Sequence, residues 1–300
     1  MKKKTVTIGI AAHNEEKSIA KLLGSIAKQT ADNFVLQNVL VVCDGCTDNT
    51  EQIAKNLAKT HRYIRVLNDG KRLGQSERLN QLFQMSTSDV FVALDADVLL
   101  ANDTTLRELV APFYTSSVGL VGGKNIPYAP RTFVEKIVVT YENFWTEVNQ
   151  NVNSGNNIHN SPGCILAASK KILSTLHIPS HVTASDHYMY FKNKQQNFSF
   201  IFARTALCYF RVPATLRDYL LQSGRFLKTQ SEMKDLESAY SDEYAIPAKV
   251  KLKAYIHSLT KEPFFMSMAL LLQVVLRIYI RINSPNYSNG LWTQVQSSKS

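Results

Sequence analysis

The sequence predicts an α/β protein with a doubly wound, mostly parallel sheet and flanking helices, followed by a C-terminal amphipathic helix. Short apolar runs alternate with helical patterns of roughly ten to fifteen residues over residues 5–97. One of these runs, Val90–Leu94, leads directly into two acids, Asp95 and Asp97. Further on, residues 264–282 combine apolar positions with polar residues spaced by four.

Each element follows from its local pattern. Apolar, β-branched runs predict strands at 5–11, 39–42, 63–67, 90–94, 117–122, 163–168, 198–202 and 206–210. Apolar residues at helical spacing predict helices after Asn14, which is a candidate N-cap, after Asp48, and at 76–85, 106–113, 133–148, 186–195 and 216–228. The run 149–160 contains six asparagines and predicts a mobile polar loop.

The two acids after Val90–Leu94 indicate a site at the edge of the sheet. Burying two unpaired anions would cost several kcal/mol, so Asp95 and Asp97 are expected where the strand emerges at its carboxyl end. Open α/β sheets bind ligands at that edge. Carboxylates separated by one small residue suit a hard divalent cation such as Mg²⁺ or Mn²⁺. A helix N-cap, formed by Asp97 or Asp103, is the alternative.

The composition limits the classes of function. With 300 residues, 45% of them hydrophobic and 19% charged, the chain is expected to fold around a sizeable core. The formal net charge of +10 favours nucleic acid, anionic lipid or phosphate-bearing substrates as partners. Met1–Lys4 leads straight into a strand without the features of a signal peptide, which predicts a cytoplasmic location.

The four cysteines favour free thiols in a reducing compartment. Cys43 and Cys46 have the spacing of a zinc or redox pair. A structural zinc site would need a second pair, and Cys164 and Cys208 stand apart. A redox pair at Cys43 and Cys46 stays open as the alternative.

The segment 264–282 predicts an amphipathic helix lying in the plane of the lipid headgroups. Gln273, Arg277 and Arg281 form one polar stripe on a helix, opposite apolar residues that include Leu271 and Ile278. The longest uncharged stretch falls short of the roughly 18–20 residues that a spanning helix needs. A helix packed on the catalytic domain and a membrane-spanning helix are the alternatives.

Several motifs at the predicted strand ends resemble those of the inverting glycosyltransferases of family 2, over roughly residues 5–230. Ile8–Glu16 is similar to that family's first strand and Asn-Glu-Glu turn, and Val41–Thr50 to its Asp-Asp-Gly-Ser-Thr-Asp segment. In the second motif, Cys43 replaces the first Asp and Cys46 replaces the Ser. Gly70–Gly74 is similar to the loop that contacts the donor's phosphates or ribose.

Three further segments follow in the family's order. Asp95-Ala96-Asp97 matches its metal-binding Asp-x-Asp. Ser185-Asp186-His187 is similar to its Glu-Asp segment, with Ser185 in place of Glu. Gln222–Phe226 is similar to its Gln-x-x-Arg-Trp motif, with Phe226 in place of Trp.

The resemblance implies a GT-A fold that transfers a sugar from a nucleotide-diphosphate donor to an acceptor hydroxyl, which we expect on a cell-envelope glycan or a lipid-linked acceptor. It implies that Asp186 is the general base and that Asp97, with Asp95, holds Mg²⁺ or Mn²⁺. The donor-binding residues that it implies are Ala12, Asn14, Glu15, Asp44, Lys71, Asp95, Gln222 and Arg225.

The predicted domain organisation is a catalytic domain at 1–235, with a nucleotide-binding half at 1–100 and an acceptor half at 101–235, and a helical tail at 236–300. The expected location is the cytoplasm, with peripheral contact at the cytoplasmic face of the membrane through 264–282. Two other functions are considered. A nucleotidyltransferase would usually carry a glycine-rich basic loop after the first strand, where this chain has Ala12–Glu15. A basic nucleic-acid-binding module rests on the net charge alone, so no nucleic-acid partner is expected.

Overall fold

The computed structural model describes residues 2–232 and 241–283, with the side chains of 225–232, 241 and 283 excepted. The chain forms two compact units. Among the described residues, the first consists of those up to Ile126 together with Ser161–Phe210, and the second of Pro127–Asn160 and those between Arg211 and Asn283. The domain boundary predicted at 235 lies outside the described residues.

The strands that the structure describes form one eight-stranded sheet with the order β3-β2-β1-β4-β7-β6-β8-β5. In chain order they are β1 Lys4–Ala12, β2 Phe34–Cys43, β3 Ile64–Asn68, β4 Val90–Asp95, β5 Leu99–Leu100, β6 Val118–Pro127, β7 Ile165–Ser169 and β8 Ser199–Phe210. Strands β3, β2, β1 and β4 are parallel. Strand β7 is antiparallel to β4 and β6, and β5 is antiparallel to β8. The α/β prediction is confirmed, and the parallel pairing belongs to the first four strands that lead up to Asp95.

The helices divide between the two units. Those of the first unit are α1 Ile19–Ala27, α2 Thr50–Thr60, α3 Gln75–Met85, α4 Thr105–Val110, α6 Lys170–Leu173 and α7 Ser185–Gln195. Those of the second are α5 Phe133–Gln150, α8 Leu216–Glu232, α9 Ala248–Lys261 and α10 Pro263–Asn283. In the first unit, the apolar residues of α1 pack with buried residues of β1, β2 and β4 to form the core.

Two local predictions need correction. Helix α1 begins at Ile19, not after Asn14. Asn14 has a positive φ of 54°, and its side chain accepts a hydrogen bond from the backbone N–H of Thr47 at 2.8 Å. Asparagine tolerates this conformation better than most residues, so Asn14 forms a turn here and does not cap a helix.

The asparagine-rich segment is more ordered than predicted. It contains two short 3-10 helices, Asn153–Gly155 and Ile158–Asn160. The amide of Asn157, which is buried, donates to the carbonyl oxygens of Asn149 and Val152 at 2.8 Å. These contacts hold the segment together, because the buried amide finds its hydrogen-bond partners among the backbone carbonyls of the same segment.

Two differences concern elements that the sequence pattern described incompletely. The two strands predicted at 198–202 and 206–210 are one continuous strand, β8. Helix α9 lies in the tail that was predicted to be helical, although its bounds were not predicted, and it packs Ala254 against Phe144 and Val148 of α5 and Met266 of α10 in the second unit.

Candidate active site

The carboxyl ends of the four parallel strands bring acidic residues to one edge of the sheet, as predicted. Ala12 of β1 lies opposite Cys43 of β2, and Cys43 lies opposite Asn68 of β3. On the other side of β1, Ala11 lies opposite Asp95 of β4. Because each of these residues ends its strand or lies next to its end, Asp44, Asp69 and Asp95 all emerge at this edge.

Asp44 is buried and its carboxylate is bound by the protein. It accepts hydrogen bonds from the backbone N–H groups of Leu73 at 2.7 Å and Gly74 at 3.1 Å. The guanidinium of Arg78 donates a third bond from Nε at 2.9 Å. Asp44 therefore fixes the loop that precedes α3 and the first turn of that helix.

Arg78 is the residue that sequence reasoning missed at this edge. It is only 1% exposed, and its two Nη atoms reach both oxygens of Asp69 at 3.0 and 2.7 Å. The guanidinium holds the pKa of the Asp69 carboxyl well below its usual range. Its position in the sequence could have revealed it. Arg78 lies one helical turn before Leu82 on the buried face of α3, and a buried arginine needs acids as partners.

The same network shapes the loop that contains Lys71. The backbone carbonyl of Lys71 accepts from Arg78 Nη2, and its backbone N–H donates to Asp69 Oδ1 at 3.0 Å. The Lys71 residue itself is exposed. The backbone of this loop is thus held in place by the buried Asp44–Arg78–Asp69 network.

The predicted donor-binding residues after β1 connect two loops of the edge. The carbonyl of Ala12 accepts from the backbone N–H of Asp44 at 2.8 Å, and the Asn14 side chain binds Thr47. The backbone N–H of Glu15 donates to Thr50 Oγ1 at 2.6 Å, and Glu15 is buried. These contacts fix the loop after β1 to the start of α2.

Cys43 and Cys46 lie at this edge and are free thiols. Cys164 and Cys208 are also free thiols. A hydrogen bond between Cys43 and Cys46 lowers the pKa of Cys46 to about 7, against the opposing effect of burial. The same hydrogen bond, followed by burial, raises the pKa of Cys43. The pair therefore differs in reactivity, with the thiolate favoured at Cys46.

Asp95 and Asp186 both lie next to Gly163. A Cβ atom at Gly163 would be 3.5 Å from Asp186 Oδ2 and 3.9 Å from Asp95 Oδ2, so one methyl group would contact both carboxylates. Both acids are half-buried. Gln75, at the start of α3, donates from Nε2 to Asp95 Oδ1 at 3.1 Å and so orients this carboxylate. Sequence reasoning missed Gln75 and Gly163.

Asp97 is linked to Asp95 and Asp186 through its effect on Cys164. Burial raises the pKa of the Cys164 thiol well above its usual value, and the carboxylates of Asp95, Asp97 and Asp186 raise it further. Within residues 2–232 and 241–283, no three His, Cys, Asp or Glu side chains form a ready-made metal-ligand set. Any cation here would need ligands from a bound substrate or water in addition.

Asp186 is the second residue of α7, and its Oδ1 accepts from the backbone N–H of His187 at 2.9 Å. A small cleft opens between Asp186 and Asp95. Its polar lining is Gln75, Asp95, Ser185 and Asp186, and its apolar lining includes Leu79, Ala93, Leu166 and Met189. The cleft thus combines two carboxylates with apolar walls, as ligand sites commonly do.

The remaining predicted residues, Gln222 and Arg225, lie on α8 in the second unit. The side chain of Arg225 is outside the described part of the chain. Their contribution to donor binding therefore stays a prediction.

The family of the chain is decided by a match to the family model described as glycosyl transferase family 2, which spans residues 7–176. This chain belongs to glycosyl transferase family 2. The match covers the four parallel strands, Asp44, Asp95 and Asp97, and it ends before Asp186. Family membership confirms the predicted family and enzyme class, and it favours glycosyl transfer over the nucleotidyltransferase and nucleic-acid-binding alternatives.

Curated relatives carry glycosyltransferase names. The β-monoglucosyldiacylglycerol synthase of Nostoc sp. is 31% identical over 144 residues, which cover 47% of this chain and 28% of the relative. The 4,4'-diaponeurosporenoate glycosyltransferase of Staphylococcus aureus is 34% identical over 107 residues, covering 36% of this chain and 28% of the relative. The chain thus matches less than a third of the length of these curated relatives.

Solved structures of glycosyltransferases share the fold. A mannosyltransferase from Pyrobaculum calidifontis, solved with GDP-Man and Mn²⁺, aligns with a TM-score of 0.61 at 19% identity, over 95% of this chain and 82% of its own. TarS of S. aureus, solved with UDP-GlcNAc, aligns with a TM-score of 0.54 at 19% identity, over 72% and 63%. These similarities confirm the predicted GT-A fold for this family 2 chain.

Proposed function

We propose that this family 2 glycosyltransferase is an inverting enzyme that moves a sugar from a nucleotide-diphosphate donor to an acceptor hydroxyl. The observation that carries the proposal is the pair of carboxylates, Asp95 and Asp186, both next to Gly163. One of them comes from the Asp-x-Asp strand end and the other from the start of α7. An inverting transfer uses a base near the attacking hydroxyl, and a carboxylate near the leaving diphosphate would serve by holding a divalent cation.

The donor half of the site is assigned to the edge formed by β1, β2, β3 and β4. Asp44, Arg78 and Asp69 hold the backbone of the loop that carries Lys71, and the exposed ammonium of Lys71 is the group proposed to meet a diphosphate. Ala12, Asn14 and Glu15 shape the neighbouring loop. Gln222 and Arg225 are proposed to add contacts to the donor, from the resemblance of their motif alone.

Asp97 and Asp95 fit a divalent cation. Both residues are half-buried, and their carboxylates act on the same half-buried thiol, Cys164. Two protein carboxylates suffice when substrate phosphates and water complete the shell, which is how Mg²⁺ is commonly held. A bound Mg²⁺ or Mn²⁺ would neutralise charge on the diphosphate leaving group. The structural neighbour solved with GDP-Man and Mn²⁺ is consistent with such a site.

Asp186 is assigned the role of general base. Its carboxylate takes the proton of the acceptor hydroxyl while that oxygen attacks the anomeric carbon from the face opposite the diphosphate. The bond between the anomeric carbon and the donor phosphate oxygen breaks, and the nucleoside diphosphate leaves with the electron pair. A positioned base of this kind contributes roughly 10²–10⁴-fold to the rate.

The acceptor is proposed to be a glycan or a lipid-linked molecule, handled at the cytoplasmic face of the membrane. The names of two curated relatives point to a diacylglycerol glycolipid and to diaponeurosporenoate. Both are lipid-soluble molecules. Contact of 264–282 with the membrane would bring the catalytic unit to such an acceptor.

A thermal-shift screen tests the proposal. The full chain is melted with UDP, GDP, ADP, CDP or TDP, each with and without Mn²⁺. At a ligand concentration about one hundred times the Kd, binding adds about 2.7 kcal/mol to the free energy of unfolding. We expect one nucleotide to raise the melting temperature more with Mn²⁺ than without it. If none of the nucleotides raises it, the proposal is wrong.

A further inference from the structure

Helix α10 exposes its apolar side and packs a polar residue inward. Phe264, Leu271, Ile278 and Ile282 are 59%, 55%, 53% and 74% exposed, and they fall on one side of the helix. On the opposite side, Met266, Ala269 and Leu276 are buried. A helix that is amphipathic in water shows the reverse arrangement, with its apolar stripe toward the core.

The predicted polar stripe begins on the inward side of α10. Gln273 donates from Nε2 to the hydroxyl of Tyr219 on α8 at 2.6 Å. Arg277 and Arg281, further along the stripe, are exposed. Helix α10 contacts α8 and α5 through a narrow face. Its broader apolar face points outward.

Helix α9 repeats this pattern with lysines beside the apolar residues. Leu252 and Ile256 are 59% and 53% exposed and are one helical turn apart. Lys249 and Lys253 each precede one of them by three residues, so they are neighbours on the helix surface. Long lysine side chains can extend past an apolar surface to reach charged groups.

The exposed apolar sides of α9 and α10 both point away from α5. Ala254 of α9 and Met266 of α10 are buried together against Phe144 and Val148 of α5. The residues that lie opposite them on α9 and α10 therefore face outward from α5. At the start of α10, the ring of Phe264 also contacts the exposed Phe133, with ring centroids 6.2 Å apart.

Nearly all charged residues in the segment of α9 and α10 are basic. The basic residues of Ala248–Asn283 are Lys249, Lys251, Lys253, Lys261, Arg277 and Arg281, and the acidic one is Glu262. Glu262 is paired with Lys136, and it also accepts from the hydroxyl of Thr140. The two helices thus combine exposed apolar residues with an excess of positive charge.

We propose that the outward side of α9 and α10, here called the lipid face (Leu252, Ile256, Phe264, Leu271 and Ile278 with Lys249 and Lys253), docks on an anionic lipid surface without crossing it. Exposed apolar side chains flanked by lysines fit the boundary between acyl chains and anionic headgroups. The proposal extends the predicted contact beyond 264–282 to α9, and it stands whether or not the glycosyl-transfer mechanism is correct.

The length of α10 does not require it to span a membrane. Pro263–Ile282 is long and apolar enough to cross one, with a mean hydropathy of 1.8, and 17% of its most apolar window is buried. Crossing would separate Met266 and Gln273 from their contacts with α9, α5 and α8. Lying flat keeps those contacts and covers the exposed residues.

Vesicle flotation of the full chain tests the lipid face. We expect the protein to float with vesicles of phosphatidylcholine and phosphatidylglycerol, less with phosphatidylcholine alone, and less at high salt. The double variant Leu271→Glu/Ile278→Glu should lower the bound fraction at least tenfold. Lys249→Gln/Lys253→Gln should remove most of the preference for the anionic vesicles. Met85→Glu, at an exposed apolar position of α3 in the first unit, is the matched control and should bind like the wild type.

Four outcomes would overturn the proposal. The wild type does not float with anionic vesicles, or Leu271→Glu/Ile278→Glu floats as well as the wild type. Bound protein resists alkaline carbonate extraction, which indicates a spanning helix. Size-exclusion chromatography without lipid shows a dimer that Leu271→Glu/Ile278→Glu dissociates, which makes this face an interface between two copies. Melting curves check folding, and the lysine variant, which changes only exposed residues, provides a second test.

Discussion

The sheet edge of the first unit and the lipid face of the second differ in where they keep their polar groups. At the sheet edge, the charged groups of Asp44 and Arg78 are buried and bound to each other. On the lipid face, Leu271 and Ile278 are exposed while the amide of Gln273 turns inward. A buried ion pair is stable only when its geometry and hydrogen bonds are complete, whereas a large exposed apolar face commonly marks a surface that binds a membrane or another molecule.

This comparison separates residues that build a site from residues that meet a ligand. Asp44 belongs to the first kind, because Leu73, Gly74 and Arg78 all bind its carboxylate. Asp95 and Asp186 border a cleft and are proposed to belong to the second kind. The predictions below test this division, from the largest expected effect to the smallest.

Asp186→Asn should lower the transfer rate by roughly 10²–10⁴-fold, because the amide cannot take the proton of the acceptor hydroxyl. The rate is measured as release of nucleoside diphosphate at saturating donor and acceptor. Nucleotide binding should stay at the wild-type level, since Asp186 is not assigned to the donor. Asp103→Asn, at an exposed acid, is the control and should transfer normally. A wild-type rate in Asp186→Asn would show that the base has been misassigned.

Arg78→Met should lower the free energy of unfolding by about 3–5 kcal/mol, because it leaves the buried Asp44 carboxylate without its partner. Urea denaturation measures the change. Arg65→Met, at an exposed arginine of β3, is the matched control and should change stability by no more than about 0.5 kcal/mol. Equal stability of the two variants would mean that the Asp44–Arg78–Asp69 network does not hold the first unit together.

Glu142→Gln should stabilise the protein above neutral pH. Burial in the second unit raises the pKa of Glu142 from 4.5 to about 7. Between these values the folded state binds more protons than the unfolded state, so this group reduces stability as pH rises through that window. The amide removes the penalty, and the melting temperature of the variant should exceed that of the wild type at pH 8 but not at pH 4. An equal gain at both pH values would contradict this origin.

The alkylation of Cys46 should show the smallest effect. Its pKa of about 7 predicts that the rate of reaction with iodoacetamide has a midpoint near that pH, below the usual value of about 8.5. Mass spectrometry locates the modified residue, and Cys46→Ser should remove the fast reaction. The buried Cys43 should react slowly. A midpoint near the usual value would mean that the hydrogen bond from Cys43 does not stabilise the thiolate.

The sequence predicted the sheet edge well because parallel strands end together. The ends of β1, β2 and β4 could be found from apolar runs, and the family motifs then assigned Asp44, Asp95 and Asp97 to the same edge. The sequence could not predict that Asp44 binds the N–H groups of Leu73 and Gly74, because backbone donors carry no signature and lie far along the chain.

The second unit was harder to predict in detail. The tail at 236–300 was predicted to be helical, but the bounds of α9 were not predicted, because Lys249, Lys251 and Lys253 alternate with apolar residues at the period of a strand. In the structure, Ala254 of this helix packs against α5. The polar composition of 149–160 likewise predicted a mobile loop, because it did not reveal that Asn157 is buried and binds backbone carbonyls.

The central claim is tested most directly by calorimetric titration of the nucleoside diphosphate that the melting screen selects, with and without Mn²⁺. The wild type should bind more tightly with the metal, and Asp186→Asn should bind like the wild type. Asp97→Asn should lose the gain from Mn²⁺ and keep its weaker, metal-independent binding. If Asp97→Asn binds the nucleotide with the full gain from Mn²⁺, the Asp-x-Asp strand end does not hold the metal and the proposed donor site is wrong.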